Sequence, residues 1–323
     1  MKAIKRGFVR TITAPGVSAL VVVGLLLTGP HAAWAKKPSG APNAVDPTAV
    51  TGCGTLSASN TIYALTNNIT TTGTGDCIVI TGSDDTLDFA GFNVTFTGTA
   101  GTNTGAGLDI KSFSDQSVIE GDNATITGFK EGVLDDGSNT TGDDISMQTN
   151  QVGLLMTGGT GYWTNFATVS NTAQGVYLKA CSDECGVADF FSSGNSGDGV
   201  LVTGSDGARV TIFSSVDNGG IGVHLGCTSG CGSNSAVKVG DAPEGFISGS
   251  AIEGNAGDGI FLDASESNKQ DQVFLINASG NGAIDLHDAT NTCGNNHWVH
   301  DEYGTAKAGS TSNPVCIPNT PIP

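Results

Sequence analysis

The chain contains 323 residues, of which 38% are hydrophobic, and it carries a formal net charge of −18 at pH 7. An acidic surface repels the phosphate backbone, so we expect no nucleic-acid partner. No apolar stretch reaches the length of about 20 residues that a membrane helix requires, so we also expect no membrane insertion.

The first 35 residues have the pattern of a secretory signal peptide. Four basic residues between Lys2 and Arg10 precede an apolar run over residues 19–27, and Ala33-Trp34-Ala35 forms a small-x-small cleavage site. We expect cleavage after Ala35 and export, by a bacterial-type signal, to the periplasm or beyond the cell. Cleavage there removes four of the 13 basic residues and none of the 31 acidic ones, which leaves a net charge of −22.

Cysteine is the next informative residue type. Eight cysteines in an exported chain indicate four disulfides. Sequence order suggests the pairs Cys53–Cys77, Cys181–Cys185, Cys227–Cys231 and Cys293–Cys316. The two Cys-x-x-x-Cys loops could instead bind a metal ion, but no histidine pair accompanies them at zinc-site spacing, so we favour disulfides.

A short phrase, Asn-x-x-x-Gly-apolar-x-apolar, recurs between residues 103 and 286 about once every two dozen residues, which is typical of a solenoid. Its anchors are Gly107, Gly132, Gly153, Gly175, Gly199, Gly222, Gly259 and Ala283. The positions one and three after each anchor are apolar in fifteen of sixteen cases, as expected where side chains alternate across a β-strand. An apolar spacing of two excludes a helical solenoid. The sequence therefore predicts stacked parallel strands, beginning near Ile62.

Asp135 is the single polar residue in these inward positions. A buried carboxylate is costly unless it is paired or bound to a metal. Either Asp135 and the adjacent Asp136 bind calcium, or the strand ends at Leu134 and both acids lie in a loop. We favour the loop because it avoids the desolvation of a charge.

Asparagine is frequent four residues before the anchors. The eight residues at this position are Asn103, Gly128, Thr149, Asn171, Asn195, Asn218, Asn255 and Ser279. Amide side chains stacked on successive turns donate and accept hydrogen bonds along the axis of a coil. We therefore assign these asparagines a structural role.

The chain resembles exported right-handed parallel β-helix proteins of the pectin-lyase-like superfamily. The resemblance rests on the repeated Gly-Val-x-Leu phrases, the asparagine ladder, residues 63–69, 76–80 and 86–91, and the ending Cys293-Gly294-Asn295-Asn296-His297-Trp298. It implies an all-β, single-stranded right-handed parallel β-helix of about ten turns with disulfide-stapled ends. The implied organisation is a signal peptide (1–35), a flexible leader (36–51), a β-helix domain with terminal caps (52–317) and a Pro-rich tail (318–323) that cannot continue a sheet.

The outward positions of the repeated strand are the candidates for a functional surface. Tyr, His and Lys can move the acidic proton beside the carboxylate of a uronate, as lyases and epimerases do. The candidate catalytic residues are Tyr177, Lys179, His224 and Asp263, and the candidate binding residues are Phe261, Asp285 and His287. The alternative is that all seven are ordinary exposed residues.

The catalytic motifs of the superfamily are mostly missing. The chain has no Asn-Thr-Asp, Gly-His-Gly, Arg-Ile-Lys or Asp-Pro-His, and Arg209 is the only arginine after residue 35. We therefore expect a glycan-binding or surface-structural protein, with a polysaccharide or cell-surface glycan as partner and no cofactor apart from the calcium considered above. The alternative is a polysaccharide lyase or epimerase that acts on a uronate polymer. Ice or mineral binding is disfavoured because threonines do not recur in register.

Overall fold

A computed structural model describes residues 46–182, 185–226, 234–240, 250–263, 270–290, 296–299, 301–308, 317 and 320–321. The expected signal peptide and residues 36–45 of the expected leader lie outside the described residues. The described part consists of β-strands and their connections. It includes no apolar helix of membrane-spanning length.

The strands form two parallel sheets that wind together into a coil. The larger sheet contains β1 (Thr48–Val50), β3 (Ile62–Leu65), β4 (Ile69–Thr71), β6 (Thr86–Asp88), β7 (Val94–Phe96), β9 (Val118–Thr127), β11 (Thr141–Gln148), β13 (Tyr162–Val169), β15 (Gly186–Ser193), β17 (Arg209–Val216), β19 (Lys238–Gly240), β20 (Ser250–Glu253), β22 (Gln272–Phe274), β23 (Ile276–Ser279), β25 (His297–Val299), β26 (Glu302–Tyr303) and β28 (Thr320–Pro321). The second sheet contains β2 (Gly54–Leu56), β5 (Ile78–Ile80), β8 (Ala106–Ile110), β10 (Glu131–Asp135), β12 (Val152–Thr157), β14 (Val176–Lys179), β16 (Val200–Thr203), β18 (Val223–Leu225), β21 (Ile260–Leu262), β24 (Leu286–Asp288) and β27 (Ala306–Ala308).

The predicted parallel β-helix is confirmed, and each repeated phrase supplies one strand of the eleven-stranded sheet. The inward side chains of these strands, such as Val176, Val200 and Val223, are fully buried. On the other sheet, the rings of Phe166, Phe190 and Phe213 stack on successive coils with centroids 5.0 and 5.5 Å apart. A continuous apolar column therefore fills the coil and holds its turns together.

The glycine at the anchor of the phrase is required by the close approach of successive coils. A Cβ atom on Gly153 would lie 2.5 Å from the carbonyl oxygen of Gly175, and one on Gly222 would lie 2.6 Å from that of Gly259. Both distances are shorter than a carbon–oxygen contact allows. The repeated glycine thus marks the point where the backbone of one turn packs on the next.

Both ends of the coil extend beyond the boundaries expected from the sequence. Strand β1 falls within the segment expected to be a flexible leader and pairs in parallel with β3. The expectation that the Pro-rich tail cannot continue a sheet is wrong, because Thr320 and Pro321 pair with Glu302 and Tyr303 of β26. Proline is compatible with a strand at the edge of a sheet, where its missing N–H is not needed.

Two of the four expected disulfides lie within the described residues, and both are confirmed. Cys53 bonds to Cys77, and Cys181 bonds to Cys185. The first links adjacent coils near the amino-terminal end, and the second closes a loop between β14 and β15. The pairs Cys227–Cys231 and Cys293–Cys316 lie outside the described residues.

The asparagine ladder is present, with two members that the spacing did not identify. The Oδ1 atom of Asn195 accepts hydrogen bonds from the backbone N–H and the side-chain amide of Asn171 at 2.9 and 2.8 Å. The same pair of bonds joins Asn195 to Asn218, Asn218 to Asn255, and Asn255 to Asn281. Asn150 and Asn281, and not Thr149 and Ser279, occupy the ladder in their turns.

Asp135 lies inside the coil, so the expectation that it belongs to a loop is wrong. Strand β10 continues through Asp135, whose side chain is buried. Its carboxylate accepts hydrogen bonds from Trp163 Nε1 at 2.8 Å and from the backbone N–H of Gly137 at 2.9 Å. Burial raises the pKa of Asp135 to about 6, although these bonds oppose the shift. The indole N–H from the next coil supplies the pairing that sequence reasoning could not foresee.

Candidate functional site

The outward side chains at the middle of the eleven-stranded sheet form a single line, which we call the outer row. It consists of Thr55, Val79, Asp109, Leu134, Leu155, Tyr177, Leu201, His224, Phe261, His287 and Lys307, one residue per strand. Parallel pairing places neighbours in the row about 4.8 Å apart. The row brings Tyr177, His224, Phe261 and His287 to one face of the sheet.

The four candidate catalytic residues lie on this face without meeting at one point. Tyr177 and Lys179 lie on β14, where Tyr177 Oη accepts a hydrogen bond from Thr203 Oγ1 at 3.3 Å and Lys179 is exposed. His224 lies two strands from Tyr177, roughly 10 Å by strand spacing. Asp263 follows β21, three strands from Lys179 and on the order of 14 Å away.

The last repeat has a different register from the one that the sequence spacing suggested. Leu286 pairs with Ile260, so His287 lies opposite Phe261 and belongs to the outer row. Asp285 is buried, and the expectation that it contributes to the binding face is wrong. Its carboxylate accepts hydrogen bonds from the backbone N–H of Thr305 at 2.7 Å and from Asn281 Nδ2 at 2.8 Å. Asp285 thus ends the asparagine ladder and is unavailable to a ligand.

His224 is held by an aspartate from the preceding coil. Asp198 Oδ2 lies 3.1 Å from His224 Nδ1. Asp198 Oδ1 accepts a hydrogen bond from the backbone N–H of Ile221 at 2.8 Å, which fixes the carboxylate. Gly220 leaves room for this contact, because a Cβ atom there would lie 2.3 Å from Asp198 Oδ1.

The same arrangement, an aspartate of the preceding coil that contacts a histidine and accepts a backbone N–H, recurs around His287. We call this arrangement a histidine unit. Asp258 Oδ2 lies 2.8 Å from His287 Nδ1, and Asp258 Oδ1 accepts a hydrogen bond from the backbone N–H of Ile284 at 2.8 Å. Phe261 lies between the two histidines, with its ring centroid 5.4 Å from that of His224 and 4.8 Å from that of His287. Two histidines, each oriented by a carboxylate, therefore flank one half-buried aromatic ring.

Sequence reasoning missed Asp198 and Asp258, although the chain contains a signal for both. Each lies between two glycines, in Gly197-Asp198-Gly199 and Gly257-Asp258-Gly259, one coil before an outer-row histidine. The recurring phrase Asn-x-x-x-Gly-apolar-x-apolar leaves the residue directly before the glycine unspecified. A Gly-Asp-Gly motif followed one turn later by an apolar-His pair is the pattern that identifies the unit.

A third aspartate occupies the equivalent position near the amino-terminal end. Asp76 Oδ1 accepts a hydrogen bond from the backbone N–H of Ala106 at 2.8 Å, and the outer-row residue on the next coil is Asp109. Lys111 contacts the Asp109 carboxylate. Burial raises the pKa of Asp109 to about 6, Lys111 opposes the shift, and Asp76 adds to it. At this position two aspartates, Asp76 and Asp109, lie close together, and Lys111 takes the place of the histidine as the charged partner.

In each histidine unit the aspartate fixes the orientation of the imidazole ring, which both proton transfer and hydrogen bonding to a sugar require. A carboxylate on Nδ1 sets the tautomer of an imidazole and leaves Nε2 for a ligand. His224 Nε2 is buried without a hydrogen-bond partner among the described residues. The His287 side chain is more exposed than that of His224, at 16% against 10%. His287 is thus the more accessible of the two to a ligand.

The described residues include no group of three or more His, Cys, Asp or Glu side chains that could hold a metal ion. Both oxygens of Asp135 already accept protein hydrogen bonds. Asp136 follows β10 and contacts Thr157 Oγ1. The two acids proposed for calcium therefore point to different surroundings, one inside the coil and one at its surface.

Comparison with solved structures identifies the class of protein that this fold defines. The chain is similar to the Dettilon tailspike protein gp208, with a TM-score of 0.58, 13% identity, and coverage of 79% of this chain and 53% of that one. It is also similar to the A-modules of two mannuronan C-5 epimerases of Azotobacter vinelandii. For AlgE4 the TM-score is 0.53 at 13% identity, covering 80% of this chain and 82% of that one, and for AlgE6 it is 0.52 at 13% identity, covering 78% and 80%.

These likenesses establish a right-handed parallel β-helix protein. The chain spans about half the length of the tailspike protein that it matches. No protein-family profile matches the chain, and no curated protein matches it. At 13% identity the shared property is the fold alone.

Proposed function

We propose that this protein is an exported glycan-binding β-helix protein and that its contact surface is the segment of the outer row from His224 to His287. The observation that carries the proposal is the half-buried ring of Phe261 between two histidines that are each fixed by an aspartate. An aromatic ring offers an apolar platform to the C–H face of a sugar. The more exposed imidazole, that of His287, offers a hydrogen bond to a hydroxyl group of the sugar through its Nε2 atom.

Three further observations support this proposal. The disulfides Cys53–Cys77 and Cys181–Cys185 belong to an oxidising compartment, as expected for an exported protein. Two of the similar solved structures are mannuronan C-5 epimerase modules, and those proteins act on a polysaccharide. The outer row also continues from strand to strand, with neighbours about 4.8 Å apart, so it suits an extended polymer better than a compact ligand.

A glycan array followed by affinity measurement on the best ligand tests the proposal. Phe261→Ala should weaken binding about tenfold, since loss of a stacked aromatic costs on the order of 1–1.5 kcal/mol. The matched control is Phe191→Ala, which removes a 43% exposed phenylalanine from the other sheet and should leave affinity unchanged. The proposal would be contradicted if the protein binds no glycan on the array, or if the two variants lose the same amount of affinity.

The second candidate is a polysaccharide lyase or epimerase that abstracts the proton beside a uronate carboxylate. The carboxylate-oriented histidines favour it, because a general base needs a fixed tautomer. Incubation with uronate polymers should then give unsaturated products or exchange of the C5 proton with solvent. His287→Gln should abolish the reaction and retain the fold. If the protein binds a polymer but gives neither unsaturated products nor C5 proton exchange on any polymer tested, the enzymatic function is rejected and glycan binding without catalysis is retained.

Calcium is the one ion that this proposal retains as a candidate. Carboxylates of the acidic chain are the hard oxygen ligands that calcium prefers. If calcium takes part, its addition should raise the melting temperature, and Asp136→Asn should remove that response. An unchanged melting temperature would exclude the ion.

A further inference from the structure

A second polar surface lies on the seventeen-stranded sheet, away from the outer row. The first outward position of successive strands holds Thr141, Tyr162, Gly186, Arg209, Lys238 and Gln272, in register from β11 to β22. This register places Arg209 and Lys238 side by side on adjacent strands. Both side chains are exposed.

The pairing of these two cations is unusual in a chain of this charge. Arg209 is the only arginine after residue 35, and acidic residues outnumber basic ones by 31 to 13. Like charges directly opposite on neighbouring strands destabilise a sheet. Among the described residues, neither Arg209 nor Lys238 forms a salt bridge, whereas Lys111 and Lys130 each have a carboxylate partner. An anion from outside the chain would relieve the repulsion.

Arg209 also borders a shallow hollow with a volume of about 320 Å³. The hollow is lined by Asn139, Thr140, Thr141, Thr160, Tyr162 and Arg209. The lining combines hydroxyl groups, one amide, one aromatic ring and one guanidinium. This mixture suits a sugar that carries a negative charge, because the polar groups match its hydroxyls and the guanidinium matches its oxyanion.

Gly186 allows Tyr162 and Arg209 to approach each other across the intervening strand. A Cβ atom on Gly186 would lie 3.0 Å from Tyr162 Cε2 and 3.1 Å from Arg209 Cβ. Any larger side chain would therefore displace the ring or the arginine. The glycine keeps both side chains at the rim of the same hollow.

We propose that the hollow beside Arg209 and Lys238 binds an oxyanion carried by a sugar residue, either a uronate carboxylate or a sulfate ester. Arg209 forms two parallel hydrogen bonds to the oxyanion, and Lys238 adds a second positive charge. Tyr162 and the threonines contact the sugar that bears the charge. This site lies on a different sheet from Phe261, so it does not depend on the outer-row proposal.

The test compares binding of the full-length secreted protein to polygalacturonate, dextran sulfate and unmodified dextran at low and high salt. Wild type should bind at least one of the charged polymers, in a salt-sensitive manner, and should not bind dextran through this site. Arg209→Gln should reduce that affinity about tenfold or more. Lys130→Gln removes the same charge from a lysine that is paired with Glu131 at 2.8 Å, and it should leave affinity unchanged.

Two further measurements make the result decisive. Arg209→Gln should leave the melting temperature unchanged or raise it, since it removes a like-charge contact, and the charged polymer should raise the melting temperature of wild type only. Phe261→Ala should retain this binding, which separates failure of this site from failure of the outer row. Equal losses in Arg209→Gln and Lys130→Gln, or a lower melting temperature of Arg209→Gln with binding intact, would overturn the proposal. Preference for polygalacturonate or for dextran sulfate decides between carboxylate and sulfate.

Discussion

Aspartates accept backbone hydrogen bonds from a neighbouring coil both on the surface of this β-helix and inside it. On the surface, Asp198 and Asp258 use one oxygen for the backbone and direct the other to a histidine. Inside, Asp271 and Asp301 also use one oxygen for a backbone N–H, but the other oxygen is buried without a partner among the described residues. We call an aspartate that accepts such a backbone hydrogen bond a cap. Outer caps direct their second oxygen to a histidine, and inner caps leave it buried.

The difference lies in the surroundings of the second oxygen. Burial raises the pKa of Asp271 and that of Asp301 to about 7, and the backbone hydrogen bonds only oppose this shift. Inside the coil both side chains therefore take up a proton at a higher pH than an ordinary aspartate does. In the outer aspartates the second oxygen lies beside an imidazole, which the carboxylate orients. Position relative to the sheet, and not residue type, decides what each aspartate does.

The largest expected effect is a loss of stability as pH rises. Because the folded-state pKa of Asp271 and Asp301 exceeds the ordinary value of 3.8, the folded state binds more protons than the unfolded state between the two values. Stability should therefore fall from about pH 4 to about pH 7 and then level off, by up to roughly 4 kcal/mol per group. Urea denaturation across this range measures the trend.

Asparagine at both inner positions is the matched control for this trend. The variant Asp271→Asn/Asp301→Asn keeps an oxygen acceptor for each backbone N–H and removes both titrating groups. It should be more stable than wild type at pH 8 and should show a flatter pH profile. A profile as steep as that of wild type would contradict the assignment of the trend to these two residues.

The next effect comes from placing a carboxylate in the asparagine ladder. Asn218 Nδ2 donates to Asn255 Oδ1 at 2.9 Å and to Ser215 Oγ at 3.1 Å. In Asn218→Asp the donor is lost and a carboxylate faces another oxygen in a buried position. We expect a cost of about 3 kcal/mol at pH 8, measured by urea denaturation. A cost below that of Asp258→Ala would show that the ladder is less important than the outer caps.

Removal of an outer cap should have an intermediate effect. Asp258→Ala leaves the backbone N–H of Ile284 without its acceptor and releases His287. We expect a loss of about 2 kcal/mol in stability, because a partly buried donor loses its partner. Circular dichroism should still report a folded β-protein. Full wild-type stability would mean that water replaces the carboxylate.

The smallest effect on stability is expected for Asp258→Asn. The amide oxygen can still accept from Ile284, so the change in stability should stay within about 0.5 kcal/mol. The charge beside His287 is lost, however, and glycan affinity at the outer row should fall. A variant with wild-type affinity would show that His287 does not need a charged partner to bind a glycan.

Much of the fold could be predicted from particular residues. The anchors from Gly107 to Gly259 and the apolar pairs after them defined the strands of the eleven-stranded sheet. The prediction failed where register depends on contacts between coils. Counting from Ala283 placed Asp285 on the surface, whereas pairing of Leu286 with Ile260 places it inside.

The candidate site was only partly predictable. Alternation along a strand sufficed to bring Tyr177, His224 and Phe261 to one face. The partners Asp198 and Asp258 lie before their strands, and they reach their histidines only because the coil returns one turn later. Arg209 and Lys238 are 29 positions apart in the sequence and adjacent in the sheet for the same reason.

The sequence by itself determined that this chain winds into parallel coils, because an apolar period of two and a glycine at seven of the eight anchors are local properties of the repeats. The tertiary structure alone decided which residues on neighbouring coils meet. Those contacts depend on the length of every loop and on the pairing of adjacent backbones. They make Asp198 and Asp258 partners of histidine, Asp135 a partner of tryptophan, and Asp271 and Asp301 buried acceptors of a backbone N–H.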